Sequence, residues 1–97
     1  MWYVYIATLE DGRFYVGVSQ QSLPALIRDH QLGLHSAYTR RQKLVRIDWI
    51  ENQRDFQSAR HREVQIKRWT HAKKHALVRG DIAALKRLSR SGHRRTS

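Results

Sequence analysis

Tyr5 and Tyr15 stand in two short runs, WYVYIAT at residues 2–8 and RFYVGVS at residues 13–19, on either side of Glu10-Asp11-Gly12. A phenol both donates and accepts hydrogen bonds, so two phenols aimed into one site could handle protons or orient a bound group. Tyrosine is also an ordinary strand residue, and packing is the competing explanation. His30 and Glu63 pose the same choice. His30 closes the series Leu23, Leu26, Ile27, His30, spaced i, i+3, i+4, i+7 on one helical face, where a lone histidine is usually a satisfied core-edge residue. Glu63 shares the helical phase of Ala59 and Ile66, the inward-looking side, with Arg60, Arg62 and Lys67 around it. A carboxylate facing a core edge must be paired or must bind a cation, which leaves an ion pair with Arg60 or Lys67 against a metal site.

These side chains depend on the elements that carry them. The two tyrosine runs around Asp11-Gly12 predict a β-hairpin. A two-residue Asp11-Gly12 turn would pair Thr8 with Tyr15 and put Tyr5 and Tyr15 on opposite faces. A three-residue loop, with Gly12 in the left-handed position of a bulged turn, would pair Ala7 with Tyr15 and Tyr5 with Gly17. Both phenols then share a face, and Gly17 leaves room for a ligand opposite Tyr5. The sequence leaves both registers open.

Ser22, Pro24 and Gly33 read as the cap, first turn and end of a helix through His30. Residues 34–43 read as a loop with His35, Tyr38, Arg40 and Arg41, and LVRIDWIE at residues 44–51 as a third strand with Val45, Ile47 and Trp49 on one side. A long helix starts at or near Asp55, and a basic helix HAKKHALVR stops at Gly80. Asp81 caps a last helix with an apolar stripe of Ile82, Leu85 and Leu88. No repeat or linker divides the chain, so residues 1–90 are expected as one domain and 91–97 as a disordered basic tail.

The 97 residues carry 19 Lys and Arg against 8 Asp and Glu, a formal charge of +11. A surface so basic repels itself unless a polyanion neutralises it, and nucleic acid is the first such partner. A membrane is disfavoured because no long apolar run is present. Cysteine is absent, which excludes a disulfide scaffold, a thiolate-ligated zinc and a cysteine nucleophile. The N-terminus opens directly into strand-like sequence without signal-peptide features, so the expected location is the cytoplasm.

Taken in order, these residues resemble the GIY-YIG nucleases, and among them the small stand-alone bacterial members. The first half-motif corresponds to Tyr3-Val4-Tyr5 and the second to Tyr15-Val16-Gly17, followed by IRDHQLG, AYTRR at residues 37–41, REVQIKRW at residues 62–69 and AKKHALVRGDIAALKRL. The resemblance spans roughly residues 2–88. It implies an α/β (α+β) fold, a small three-stranded antiparallel sheet with helices packed around it. The implied activity is endonucleolytic hydrolysis of a nucleic-acid phosphodiester, DNA before RNA, with one divalent metal, Mg2+ or another such as Mn2+. Carried across position by position, Tyr5, Tyr15 and His30 are catalytic and Glu63 holds the metal. Gly17, His35, Tyr38, Arg40, Arg41, Arg60, Lys67, Lys73 and Lys74 make the nucleic-acid surface.

The chain departs from the family pattern at Leu26. The family carries a catalytic arginine there, four residues before the helix histidine. A nuclease using another cation, Arg60 or Arg40, and a catalytically weakened or inactive nucleic-acid-binding module are therefore both expected readings. A small basic RNA-binding protein whose tyrosines stack on bases is a third, which accounts for the charge but not for the ordered motifs.

Overall fold

The structure is a computed structural model that describes residues 1–33 and 43–95, with side chains to residue 89. Strand β1 (Trp2–Leu9) turns back into β2 (Phe14–Ser19) through the three-residue loop. Gly12 lies at φ 86° and its N–H donates to the Leu9 carbonyl at 2.9 Å, while the Leu9 N–H donates to the Arg13 carbonyl at 2.9 Å. The Asp11 carboxylate accepts from the Arg13 N–H at 3.0 Å, an Asx-type closure that supports this register. Ala7 therefore pairs with Tyr15 and Tyr5 with Gly17, and the two phenols share a face.

Helix α1 (Leu23–Gln31) follows, capped by the Ser22 hydroxyl and buried along Leu26 and His30. Strand β3 (Leu44–Gln53) then pairs antiparallel with the free edge of β1, giving the sheet order β2-β1-β3. Helix α2 (Phe56–Lys67) is capped by Asp55, whose carboxylate accepts from the Ser58 N–H at 2.8 Å, and it buries Ala59, Glu63 and Ile66. Helix α3 (His71–Arg79) starts at the Thr70 cap and stops at Gly80, which takes φ 70°. Helix α4 (Ile82–Arg95) begins with the Asp81 carboxylate accepting from the Ala84 N–H at 3.0 Å. Its bounds run through Gly92 to Arg95. Among the described residues this is an α+β fold with a three-stranded sheet and four helices.

The sheet has an apolar layer on each face. Tyr3, Tyr5, Ala7 and Leu9 pack with Leu26, Leu44, Tyr15, Ile27 and Ile47 on the α1 side. Val4, Ile6 and Val16 pack with Ala59, Ile66, Trp49 and Trp69 on the side of α2 and α3. The third strand corrects the reading that placed Val45, Ile47 and Trp49 on one side. Ile6 pairs with Trp49 but Ala7 pairs with Ile47, so Asp48 is an extra residue, and Val45 is a second one between Arg46 and Leu44. A bulge of this kind reverses the alternation of faces. Ile47 thus joins the tyrosine layer, Trp49 the opposite one, and Val45 is left 54% exposed. The Asp48 carboxylate is held by the Thr8 hydroxyl and by Arg46 Nε at 2.7 Å.

Candidate active site

Tyr5 lies on the central strand and is 0% exposed. Its hydroxyl is 2.7 Å from His30 Nε2 and is also hydrogen-bonded to Tyr15. The Tyr15 ring lies 6.1 Å from that of Tyr5 and 5.3 Å from that of His30. Tyr15 is only partly buried, whereas His30 is fully buried, so the three groups form a path from the surface inward. Burial pushes the Tyr5 phenol well above its ordinary value, with further increments from Tyr15, Tyr3 and the Glu63 carboxylate. At neutral pH Tyr5 therefore keeps its proton and serves as a hydrogen-bonding link rather than as a standing phenolate.

Gly17 makes this path possible, in a different way from the one expected. A Cβ placed on Gly17 would fall 2.5 Å from the Tyr5 hydroxyl oxygen and 2.7 Å from its Cζ. The space opposite Tyr5 is thus filled by the phenol of Tyr5 itself and not left for a ligand. The position of α1 is set from the loop before it. The Tyr3 hydroxyl donates to the Gln21 carbonyl at 2.8 Å, and the Gln21 side-chain amide donates to Asp29 at 2.8 Å, next to His30. The first contact was not legible in the sequence, because a backbone carbonyl acceptor leaves no residue signature. Leu26, one turn before His30, is 0% exposed within the apolar layer of Tyr3, Tyr5, Ala7 and Leu9.

Glu63 approaches from α2 and is 6% exposed. Arg60 Nη1 meets its Oε1 at 2.5 Å and Lys67 Nζ its Oε2 at 3.1 Å. Arg62 faces away and pairs with Glu51 at 3.0 Å. Lys74 lies close enough to Lys67 that burial and then the Lys67 charge hold its ammonium below the ordinary value. Lys73 sits 4.1 Å above the Trp69 ring, and burial followed by the Arg62 charge lowers it in the same direction. Arg60, Lys67 and Lys74 thus form a basic row past the Glu63 carboxylate. His35, Tyr38, Arg40 and Arg41 lie outside the described residues.

Among the described residues no three His, Cys, Asp or Glu side chains are grouped to hold a metal, and Glu63 would be the carboxylate offered to one. That is compatible with Mg2+, which commonly takes one or two carboxylates and completes its shell with water and phosphate oxygens. The two cations now on Glu63 have side chains about half exposed, 54% for Arg60 and 50% for Lys67, so the buried acid is balanced by groups free to move outward. None of the described helices is long and apolar enough to cross a membrane.

The comparisons agree with the fold and the motif order. The GIY-YIG catalytic-domain family model matches residues 1–76, which takes in all three strands, α1, α2 and most of α3. A UPF0213 protein of Desulfotalea psychrophila is 30% identical over 78 residues, covering 80% of this chain and 71% of that protein. No solved structure matches. A sheet ordered β2-β1-β3, two motif tyrosines on one of its faces and a family match over most of the length lead to one assignment: the chain belongs to the GIY-YIG family, whose members are generally endonucleases.

Proposed function

We propose that the protein is a metal-dependent endonuclease that hydrolyses phosphodiester bonds of nucleic acid, DNA before RNA. The observation that carries this reading is the hydrogen-bonded path from partly exposed Tyr15 through buried Tyr5 to His30 Nε2, with the Glu63 carboxylate close enough to act on Tyr5. Hydrolysis requires a water to lose a proton as its oxygen attacks phosphorus. Tyr15 accepts that proton as its own passes to Tyr5, and Tyr5 delivers its proton to His30 Nε2. The bond from phosphorus to the leaving oxygen breaks, and that oxygen takes a proton from solvent. Glu63 would hold the Mg2+ or Mn2+, and the ion would supply charge against the negative charge growing on the phosphate. Lys67, Lys73 and Lys74 bind neighbouring phosphates, which fix the strand without reading its sequence.

One observation favours a second reading, a nucleic-acid-binding module that has lost catalysis. Leu26 occupies the family's arginine position and is sealed in the core, so α1 supplies no cation to the phosphate from there. Losing one donor to a developing oxyanion costs on the order of 10²–10³ in rate. Incubation with labelled single- and double-stranded DNA and RNA, with and without Mg2+ or Mn2+, separates the two. Metal-dependent products that disappear in Tyr15→Phe and Glu63→Gln support the enzyme. Tight binding with no product from any substrate supports the module and refutes the nuclease.

A further inference from the structure

Both oxygens of the Glu63 carboxylate are taken, Oε1 by Arg60 at 2.5 Å and Oε2 by Lys67 at 3.1 Å. We propose that Arg60 is the stand-in for the divalent cation in the metal-free protein, and that it moves from Glu63 to the substrate phosphate when a metal occupies the carboxylate. The inference rests on the metal-dependent reading above.

The three side chains of the resting site sum to one positive charge, so the acid is already over-compensated. A doubly charged ion entering the same lone pairs meets both a steric block and like-charge repulsion, and one ligand must leave. Arg60 is the one suited to go. Its side chain is 54% exposed, and it borders an open groove of about 520 Å³ with His61, Val64, Gln65, Arg68 and Trp69. That groove offers an outward path without disturbing the core, while Lys67 can remain on Oε2. Arg68 in the groove keeps it electropositive, so a displaced guanidinium gains nothing by staying there unless an anion arrives. A phosphate that such an ion would hold at Glu63 would be that anion, next to the carboxylate that Arg60 already contacts. A guanidinium also offers two parallel N–H donors matched to two phosphate oxygens, which an ammonium does not. The phosphate therefore receives from α2 a positive charge that buried Leu26 on α1 does not provide.

Competition and clamping predict effects of opposite sign from one substitution. In a Mn2+ titration of the full chain without substrate, followed by electron paramagnetic resonance, Arg60→Gln is expected to bind Mn2+ about three- to tenfold more tightly than wild type, because its competitor is gone. At saturating Mn2+ the same variant is expected to lose on the order of 10²-fold in the cleavage rate. Arg60→Lys keeps an ion pair on Glu63 and so guards against a folding defect. It should bind Mn2+ with near wild-type affinity and recover only part of the rate, since it lacks the paired donors. Equal Mn2+ affinity in wild type and Arg60→Gln, or an undiminished rate at saturating metal, overturns the proposal while the nuclease reading stands. Absence of Mn2+ binding in wild type and Arg60→Gln alike overturns the proposal together with the metal-dependent reading.

Discussion

Gly17→Ala is the sharpest structural test of the tyrosine path. The added methyl would sit 2.5 Å from the Tyr5 hydroxyl oxygen, 2.7 Å from Cζ and 3.0 Å from Cε1. Ordinary contact lies near 3.5 Å, so the phenol or strand β2 must retreat by roughly 1 Å. The ring is rigid, fully buried and flanked by Tyr3 at 6.2 Å and Tyr15 at 6.1 Å, and a 1 Å displacement disturbs the 2.7 Å bond to His30. Overpacking of this kind costs about 1–3 kcal/mol. A weakened buried hydrogen bond adds about 1 kcal/mol. The expected loss of about 2–4 kcal/mol corresponds to a fall in Tm of roughly 8–25 °C for a chain of this size. Misplacement of the relay by this distance is expected to cost on the order of 10²-fold in cleavage rate. Urea unfolding supplies the first number and a time course on labelled DNA the second. Tyr5→Phe in the same chain removes the oxygen that makes the closest contact. The double variant should therefore be more stable than the sum of the single losses, by at least about 0.5 kcal/mol. A Gly17→Ala protein within about 0.5 kcal/mol of wild type and fully active would refute the packing argument, since that is the scatter of neutral surface changes.

Leu26→Arg should destabilise the fold by about 3 kcal/mol or more, because it places an unpaired charge among Tyr3, Tyr5 and Leu9; a stable variant with raised cleavage would show that α1 can present a cation after all. Tyr5 adds a pH dependence of defined sign. Its folded pKa lies above the ordinary value of 10.0, so its contribution to stability is complete below about pH 10 and is lost as pH rises through the range above it. Between pH 10 and 11.5 wild type should lose stability relative to Tyr5→Phe by up to about 1.4 kcal/mol per pH unit, and parallel urea curves for the two proteins would contradict this. Nucleic-acid affinity should fall steeply with salt, and replacing Lys73 and Lys74 with alanine should lower the log–log slope by about two if each meets one phosphate. An unchanged slope would remove them from the contact surface.

Much of the local structure was written in neighbouring residues. Ser22, Asp55, Thr70 and Asp81 cap the four helices because a short polar side chain meets N–H groups two or three positions ahead. Gly80 ends α3 because the left-handed backbone there costs glycine little. The net charge of +11 and the absence of cysteine follow from composition alone.

The site itself needed the tertiary structure. Two hairpin registers were compatible with Glu10-Asp11-Gly12, and the longer loop prevails where packing the tyrosine layer against α1 rewards it. Period-two alternation along β3 could not announce the extra residues Val45 and Asp48, because a bulge is set by the neighbouring strand and by contacts such as Thr8 to Asp48, forty positions apart. The bond between Tyr5 and His30 spans 25 residues, and it exists because Gly17, on a third element, has no side chain to hold the phenol away. For Glu63 the helical phase already required a cation. Only the folded chain decided that Arg60 and Lys67 divide its two oxygens, because side chains at i−3 and i+4 reach the same buried acid from opposite ends of one helical face.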